Sequence, residues 1–144
     1  LIDAWINMSI VIENIFFEMK KVMLVDDQEI SNFIMRKYLN ICFPDLEVVE
    51  FTNPAEALDA LENQDPDVVF LDLNMPLMNG WQFLDTMGER NLTRKVLVLS
   101  SSIDPMDAVK AGSYKYVVRF CEKPLNKETL PEMIEEAKAF KIPA

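Results

Sequence analysis

Five short apolar runs, each followed by a polar residue and an amphipathic stretch, constrain the fold of this chain most strongly. The runs lie at residues 21–25, 47–51, 68–71, 96–99 and 116–120. Most of them lack the alternation of a strand with one solvated face, which is typical of strands buried on both faces of a parallel sheet. The run at 47–51 is half apolar, so we expect it nearer an edge. Strands that alternate with helices predict an α/β fold, a doubly wound five-stranded parallel sheet with five helices on its two faces.

The stretches between the runs have helical spacing and recognisable start signals. The first of them carries one apolar stripe, the pattern of a helix that packs one face on a core. The stripe consists of Ile30, Phe33, Ile34, Tyr38 and Ile41. Asn53-Pro54 and Asp104-Pro105 each place a capping residue before a proline, which predicts a helix start at both positions.

Composition excludes several classes of function. The chain has 144 residues, enough for one domain, and its 14 Lys and Arg against 24 Asp and Glu give a net charge of −10. Such an acidic chain repels a phosphate backbone, so we expect no nucleic-acid binding. The absence of histidine excludes an imidazole base, a histidine-ligated zinc site and a histidine autokinase. The two cysteines, Cys42 and Cys121, are too few for a disulfide framework and favour a reducing, cytoplasmic location.

The first 18 residues differ from the rest of the chain. Twelve of them are apolar, but none is Lys or Arg, so the basic region of a signal peptide is missing. Polar residues such as Asp3 and Glu13 interrupt any run of the ~20 apolar residues that a membrane span requires. We therefore expect no membrane segment. Residues 1–18 are treated as an apolar extension of unknown status, which is either an upstream segment or a flap that packs on the domain or on a second copy. Residues 19–144 form the domain.

Four of the five predicted strands end at a chemically active side chain. Asp26 and Asp27 follow the first strand, Asp72 the third, Ser100 the fourth and Lys123 the fifth. The carboxyl ends of parallel strands meet at one edge of the sheet, where ligands of α/β proteins bind. Three carboxylates at one edge raise one another's pKa unless a cation neutralises them. Oxygen ligands without His or Cys indicate Mg²⁺.

These residue types suit phosphoryl transfer. Asp72 stands alone at its strand end and is best placed as a nucleophile, since carboxylates can form an aspartyl phosphate. The Lys123 ammonium and the Ser100 hydroxyl can each interact with a phosphoryl oxygen. Together with a metal ion they would spread stabilisation over the three equatorial oxygens, which is most of what phosphoryl transfer requires.

Five motifs, in order and each at a predicted strand end or helix start, resemble the receiver domain of two-component response regulators. They are Val25-Asp26-Asp27, the segment 70–76 (FLDLNMP), Met78-Asn79-Gly80, Leu99-Ser100-Ser101 and Glu122-Lys123-Pro124. The resemblance extends from Met19 to about Phe140. It implies a flavodoxin-like sheet with strand order 2-1-3-4-5, as in chemotaxis regulators.

The resemblance also implies a role for each metal-site residue. Asp72 matches the phosphoacceptor and contributes to the metal site. Asp27 matches the carboxylate that binds Mg²⁺ directly, and Asp26 matches the one that acts largely through water. Asn74 matches the position whose backbone carbonyl completes the metal coordination.

The switch residues are implied in the same way. Ser100 matches the switch hydroxyl, with Ser101 as the alternative if the strand ends one residue later. Lys123 matches the family's lysine, and Pro124 follows it at the usual cis-peptide position. Phe120 matches the aromatic residue that rotates inward when the hydroxyl moves, although it lacks the hydroxyl group of the Tyr version.

The expected function is that of a single-domain, stand-alone response regulator, monomeric or weakly dimeric. A sensor histidine kinase or a histidine phosphotransfer protein supplies the phosphoryl group. The surface of the fourth helix, fifth strand and fifth helix (about 104–140) then changes its affinity for a downstream protein. We expect no catalysis beyond its own aspartyl phosphorylation and dephosphorylation. The segment after Asp72, Leu73-Asn74, lacks the second acid of Asp-x-Asp-x-Thr phosphohydrolases.

Two alternatives stay open. A phosphorelay intermediate would pass the phosphoryl group on to another histidine protein and uses the same chemistry. An interaction module that works without phosphorylation would share the fold, although its acidic pocket need not be complete.

Overall fold

The computed structural model describes residues 2–5 and 19–144. A helical segment occupies residues 2–5, whose side chains are exposed. The prediction about the extension otherwise falls on residue 1 and residues 6–18, which lie outside the described residues. Within the described part of the chain, no helix combines the length and the apolar character needed to cross a bilayer.

The sheet confirms the predicted fold class and strand order. Five parallel strands are arranged in the order β2-β1-β3-β4-β5. Their bounds are β1 Lys21–Val25, β2 Glu47–Phe51, β3 Val68–Asp72, β4 Lys95–Ser100 and β5 Val117–Glu122. The half-apolar strand β2 lies at one edge, as predicted, and the uniformly buried β3 lies at the centre.

Five helices connect and follow the strands. They are α1 Glu29–Cys42, α2 Pro54–Gln64, α3 Gly80–Glu89, α4 Pro105–Gly112 and α5 Thr129–Ala139. The two predicted cap-and-proline starts are confirmed. The Asn53 side chain accepts hydrogen bonds from two backbone N–H groups at the start of α2, and the Asp104 side chain accepts one at the start of α4.

Two apolar clusters cover the two faces of the sheet. One packs α2, α3 and α4 against the sheet and includes Leu58, Phe83 and Ala111. The other packs α1 and α5 against the opposite face and includes Leu39 and Ile134. Because both faces are buried, the apolar runs of the central strands need no polar alternation.

The predicted apolar stripe of α1 is wrong as a core-facing surface. Four of its members are 44 to 68% exposed: Ile30, Phe33, Ile34 and Ile41. The buried positions of α1 are Asn32 and Leu39. The Asn32 side-chain amide donates hydrogen bonds to the carbonyl groups of Asp26 and Phe51, at 3.0 and 3.2 Å. These partners satisfy the hydrogen-bond donors of the buried amide. The face of α1 that carries Asn32 and Leu39 therefore packs against the sheet.

The last strand and the last helix have boundaries that differ from the sequence prediction. The strand β5 begins one residue later and ends two residues later than expected, and its pairing with β4 contains an irregularity that shifts the register between Val96 and Leu97. The last helix begins later than the predicted residue 126. The Asn126 side chain accepts hydrogen bonds from the N–H groups of Glu128 and Thr129, and this turn precedes the helix.

Candidate functional site

The carboxyl ends of three strands, β1, β3 and β5, bring the predicted acidic residues and the predicted lysine together. Carboxylate oxygens of Asp26, Asp27 and Asp72 all lie within 4.8 Å of one another. The Lys123 amine lies 2.8 Å from Asp26 Oδ2 and 3.5 Å from Asp72 Oδ1. Segments almost one hundred residues apart therefore form one compact polar site at this edge of the sheet.

The turn after β1 positions the first acidic pair. The Asp26 N–H donates to the Phe51 carbonyl at 3.2 Å, which continues the pairing of β1 with β2 by one residue. The Asp26 Oδ1 atom then accepts the N–H of Gln28 at 2.9 Å, and this local turn ends the strand. The Asp26 side chain is consequently buried, whereas Asp27 is half-buried.

Asp72 is the last residue of β3 and only 6% exposed. Burial raises the pKa of its carboxyl group, the Lys123 charge opposes that rise, and the Asp26 charge adds to it. Asp72 Oδ1 accepts the N–H of Asn74 at 3.3 Å. A desolvated carboxylate beside other carboxylates is most stable when a cation is bound close to it.

Lys123 supplies a positive charge at this edge. Its backbone N–H donates to the Ser100 carbonyl at 2.7 Å, which holds the residue beside β4. Burial acts to lower the pKa of its amine, but the hydrogen bond and charge of Asp26, together with the charge of Asp72, raise it above the usual value. The amine therefore stays protonated. The Lys123–Pro124 peptide bond is cis, as predicted.

The donor set fits Mg²⁺. The three clustered carboxylates offer hard oxygen ligands, and the cluster holds no nitrogen or sulfur ligand. Mg²⁺ typically takes one or two carboxylates and keeps several waters, so three convergent carboxylates satisfy its protein requirement. The Asn74 carbonyl, two residues after Asp72, stays a predicted ligand.

The switch positions flank this cluster. Ser100 is completely buried at the end of β4, and its Oγ accepts the N–H of Ser102 at 3.0 Å. Ser101 is exposed, and its Oγ accepts a hydrogen bond from the Asn74 side-chain amide at 3.4 Å. Phe120 is half-buried in β5 and packs against the cluster beneath α2, α3 and α4. Their switching roles stay predictions.

Two positioning residues have roles that the sequence pattern did not indicate. Asn32 links the ends of β1 and β2 through its side-chain amide. The feature of the sequence that could have indicated this role is an amide residue on the first helix, five residues after Asp27. Gly80 belongs to the motif Met78-Asn79-Gly80, whose spacing alone gives no reason for a glycine. A Cβ atom at Gly80 would lie 2.7 Å from Leu73 Cα and 3.0 Å from the Asp72 carbonyl oxygen, so only glycine permits this approach.

Comparison with known proteins decides the family. The family model described as the response regulator receiver domain matches residues 22–135. The chain belongs to this family. As a receiver domain, it comes from a class of proteins that interact with histidine kinases and downstream effectors.

Two proteins with a similar sequence are longer than this chain. It is 32% identical over 122 residues to the nitrate/nitrite response regulator protein NarL of Escherichia coli strain K12, covering 78% of this chain and 56% of the relative. It is 38% identical over 122 residues to protein-glutamate methylesterase/protein-glutamine glutaminase 1 of Hahella chejuensis, covering 81% of this chain and 32% of the relative. The chain therefore spans between about a third and somewhat over half of these two relatives.

Solved structures share the receiver fold. A two-component response regulator from Cytophaga hutchinsonii superimposes with a TM-score of 0.74 at 27% identity, covering 83% of this chain and 97% of that one. The chemotaxis protein CheY4 of Vibrio cholerae gives a TM-score of 0.73 at 24% identity, covering 83% of this chain and 99% of that one. The second likeness concerns the fold alone.

Proposed function

We propose that this receiver domain accepts a phosphoryl group on Asp72 from a phosphohistidine donor, and that this modification changes its affinity for a downstream protein. The observation that carries the proposal is the convergence of Asp26, Asp27, Asp72 and Lys123 within a few ångströms at one edge of the sheet. The chain has no histidine, so the donor must be another protein, a sensor histidine kinase or a histidine phosphotransfer protein.

In the proposed reaction the Asp72 carboxylate attacks the phosphorus atom, the new P–O bond forms, and the P–N bond of phosphohistidine breaks. The imidazole leaves with the electron pair and takes up a proton. Mg²⁺, held by Asp27, Asp72 and through water by Asp26, would offset the negative charge of the phosphoryl oxygens. The Lys123 ammonium is held beside Asp72 by Asp26 and can attract another phosphoryl oxygen.

The proposed switch begins at Ser100. Its hydroxyl accepts a backbone N–H and still has its own proton, which it can donate to a phosphoryl oxygen on Asp72. Movement of Ser100 would leave room beside Phe120, one strand away, for the aromatic ring to turn inward. The surface formed by α4, β5 and α5 would then change shape. On α4 the exposed apolar side chains of Met106 and Val109 support its use as a contact surface for a protein.

We also propose that catalysis is confined to this chain's own aspartyl phosphate. Leu73 and Asn74 follow Asp72 where an aspartyl phosphohydrolase would carry a second acid. The net charge of −10 supports protein partners rather than nucleic acid.

A small phosphodonor tests this function directly. Incubation with acetyl phosphate and Mg²⁺ should add one phosphoryl group to the unmodified chain, detected by intact mass. Asp72→Asn should abolish the gain, and chelation of Mg²⁺ should do the same. Asp67→Asn, at the opposite end of the sheet, is the matched control and should leave the gain intact. Phosphorylation of the Asp72→Asn variant at the normal rate would reject the assigned acceptor.

A second measurement separates a terminal regulator from a relay intermediate. The phosphorylated chain is mixed with an unphosphorylated histidine phosphotransfer domain, and the label on each protein is followed over time. Rapid transfer of label to histidine indicates a relay. Slow loss of label to water, with no labelled histidine, indicates a terminal regulator.

A further inference from the structure

The helix α4 buries little of its own surface against the domain. Of its eight residues, all of which the structure describes, Ala111 alone is buried. Its apolar side chains Met106 and Val109 are 64 and 65% exposed. Burial of apolar surface is the main term that holds a helix on a domain, so α4 is weakly held along its length. The contacts at its two ends therefore decide its position.

At its carboxyl end, α4 is joined to α3 by a stack of side chains. The ring of Trp81, in the first turn of α3, and the ring of Tyr114, two residues after α4, have centroids 6.1 Å apart and an interplanar angle of 16°. The Lys110 amine lies 4.5 Å from the centre of the Trp81 ring. Stacked aromatic pairs and cation–π contacts each add to the stabilisation that burial provides. We call Trp81, Lys110 and Tyr114 the aromatic clasp.

Two tyrosine hydroxyl groups fix the aromatic clasp to α3. The Tyr114 hydroxyl donates to Asp85 Oδ1 at 2.7 Å. The neighbouring ring of Tyr116 has its centroid 6.0 Å from that of Tyr114, and its hydroxyl donates to the Leu84 carbonyl. Trp81, Leu84 and Asp85 are three and four residues apart, so they lie on one face of α3. The segment between α4 and β5 is therefore held on that face.

At its amino end, α4 is connected to Ser100 by three successive hydrogen bonds. Ser100 Oγ accepts the N–H of Ser102 at 3.0 Å, and Ser102 Oγ accepts the N–H of Asp104 at 3.2 Å. Asp104 Oδ1 then accepts the N–H of Met106, in the first turn of α4, at 2.9 Å. Each of these bonds joins residues two positions apart, so a displacement of Ser100 moves the loop and the start of α4 with it.

We propose that the aromatic clasp restrains α4 in its unphosphorylated position and thereby sets how readily the domain switches. This inference rests on the proposed function, in which Ser100 moves toward a phosphoryl group on Asp72. The three hydrogen bonds carry that movement to the start of α4, while the aromatic clasp holds the other end. The switched conformation is reached only when the aromatic clasp opens. Its free energy therefore opposes switching, and a chain without it switches more readily.

Tyr114→Leu tests the restraint by removing the stacked ring. Beryllofluoride with Mg²⁺ stands in for the phosphoryl group, and its apparent Kd is measured by calorimetry. The free energy needed to reach the switched conformation weakens this affinity in the unmodified chain. The variant should therefore bind about threefold to tenfold more tightly, the range that one aromatic pair can supply. Tyr114→Phe keeps the ring but not the hydrogen bond to Asp85, and its affinity should fall between the two.

The matched control removes a ring from a similar contact elsewhere. The Lys138 amine lies 5.7 Å from the centre of the Phe43 ring, where the end of α1 meets α5. Phe43→Leu therefore deletes a cation–π contact between two helices but leaves α3 and α4 as they are. Its apparent Kd for beryllofluoride should equal that of the unmodified chain.

A second measurement follows the aromatic clasp while it is intact. The chain has two tryptophans, Trp5 and Trp81, so Trp5→Phe leaves Trp81 as the sole indole group. Beryllofluoride added in the presence of Mg²⁺ should shift the Trp81 emission to longer wavelength and increase its quenching by acrylamide, because the opened aromatic clasp exposes the ring. The same addition to the double variant Trp5→Phe/Asp72→Asn should change neither quantity.

The outcomes separate the restraint from the proposed function. An apparent Kd of Tyr114→Leu equal to or above that of the unmodified chain would overturn the restraint. An equal gain of affinity in Phe43→Leu would also overturn it, because any loss of a ring contact would then have the same effect. If Tyr114→Leu does not fold, the Trp81 signal decides, and an unchanged signal while calorimetry records binding overturns the restraint. If beryllofluoride binds no chain and acetyl phosphate fails to label Asp72, the proposed function itself fails.

Discussion

At the amino end of the sheet, charged side chains have matched partners, whereas at the carboxyl end three carboxylates cluster and only two of them contact the Lys123 amine among the described residues. At the amino end, Asp67 accepts the N–H groups of Lys20 and Lys21 at 2.7 and 2.9 Å. Arg94 forms an ion pair with Asp65 at 2.7 Å, and the Lys95 amine donates to the Ala137 carbonyl at 2.7 Å. These contacts hold the starts of the strands and the end of α5.

At the carboxyl end, negative charges are clustered instead of being individually paired. Asp26, Asp27 and Asp72 meet within 4.8 Å, and Asp72 is desolvated enough for burial to raise its pKa. The difference shows that one sheet can keep its structural charges paired at one end and an excess of negative charge at the other. That excess costs the domain stability until a cation binds, which is why this end is suited to a metal-dependent reaction.

The largest expected effect concerns Mg²⁺ at the carboxyl end. Asp27→Ala should weaken Mg²⁺ binding by at least about tenfold and up to roughly 100-fold. Even the loss of a residue that only hydrogen-bonds a metal ligand lowers metal affinity by this factor. Binding is measured by titration calorimetry or by Mg²⁺-dependent fluorescence of the two tryptophans.

Two acidic residues outside the cluster are the controls. Asp104→Ala removes the cap of α4, and Asp67→Ala removes a carboxylate at the amino end. Neither should change the affinity for Mg²⁺. Equal losses in Asp27→Ala and Asp104→Ala would contradict the assigned metal site.

The next effect is on the free energy of unfolding, which should change in opposite directions when a carboxylate is removed from each end of the sheet. Asp67→Ala leaves the N–H groups of Lys20 and Lys21 without their acceptor and should lower the free energy of unfolding by about 1–3 kcal/mol. Asp72→Asn in Mg²⁺-free buffer should raise it, because a desolvated charge beside Asp26 is removed. Urea denaturation of both variants measures the difference. A loss of stability in both would mean that the carboxylates at the two ends act alike.

The smallest expected effect is a change in the free energy of unfolding at alkaline pH, and it comes from Tyr116 at the amino end of the sheet. Tyr116, just before β5, donates its hydroxyl to the Leu84 carbonyl, and burial together with the Asp85 charge raises its pKa to about 12. An unfolded tyrosine ionises at about pH 10, so the folded chain retains this proton at higher pH. The free energy of unfolding should therefore fall as pH rises through this interval.

Tyr116→Phe should remove the phenolate absorbance step near pH 12, while Tyr114→Phe should leave it in place. At neutral pH the variant should lose about 1 kcal/mol with its hydrogen bond. An unchanged titration in Tyr116→Phe would show that another phenol produces the step.

The strands could be predicted because each is a local apolar run with a polar end. The bounds 21–25 and 47–51 match β1 and β2, and the two prolines after capping residues mark α2 and α4. The face of α1 could not be predicted by the same method. Periodicity considers only apolar residues, so it gave no reason to place a polar side chain in the core. The carbonyl groups of two strand ends make the burial of Asn32 favourable.

By itself the sequence determined which chemical groups stand at the strand ends, because a strand and the residue that terminates it are adjacent in the chain. Only the tertiary structure decided the distances among them. The contact between Asp26 and Lys123 joins residues 97 positions apart, and it depends on how the sheet is ordered and twisted. The backbone of Leu77, in the loop between β3 and α3, was likewise decided by the tertiary structure, since its φ angle of 67° lies in the left-handed region that leucine does not favour locally.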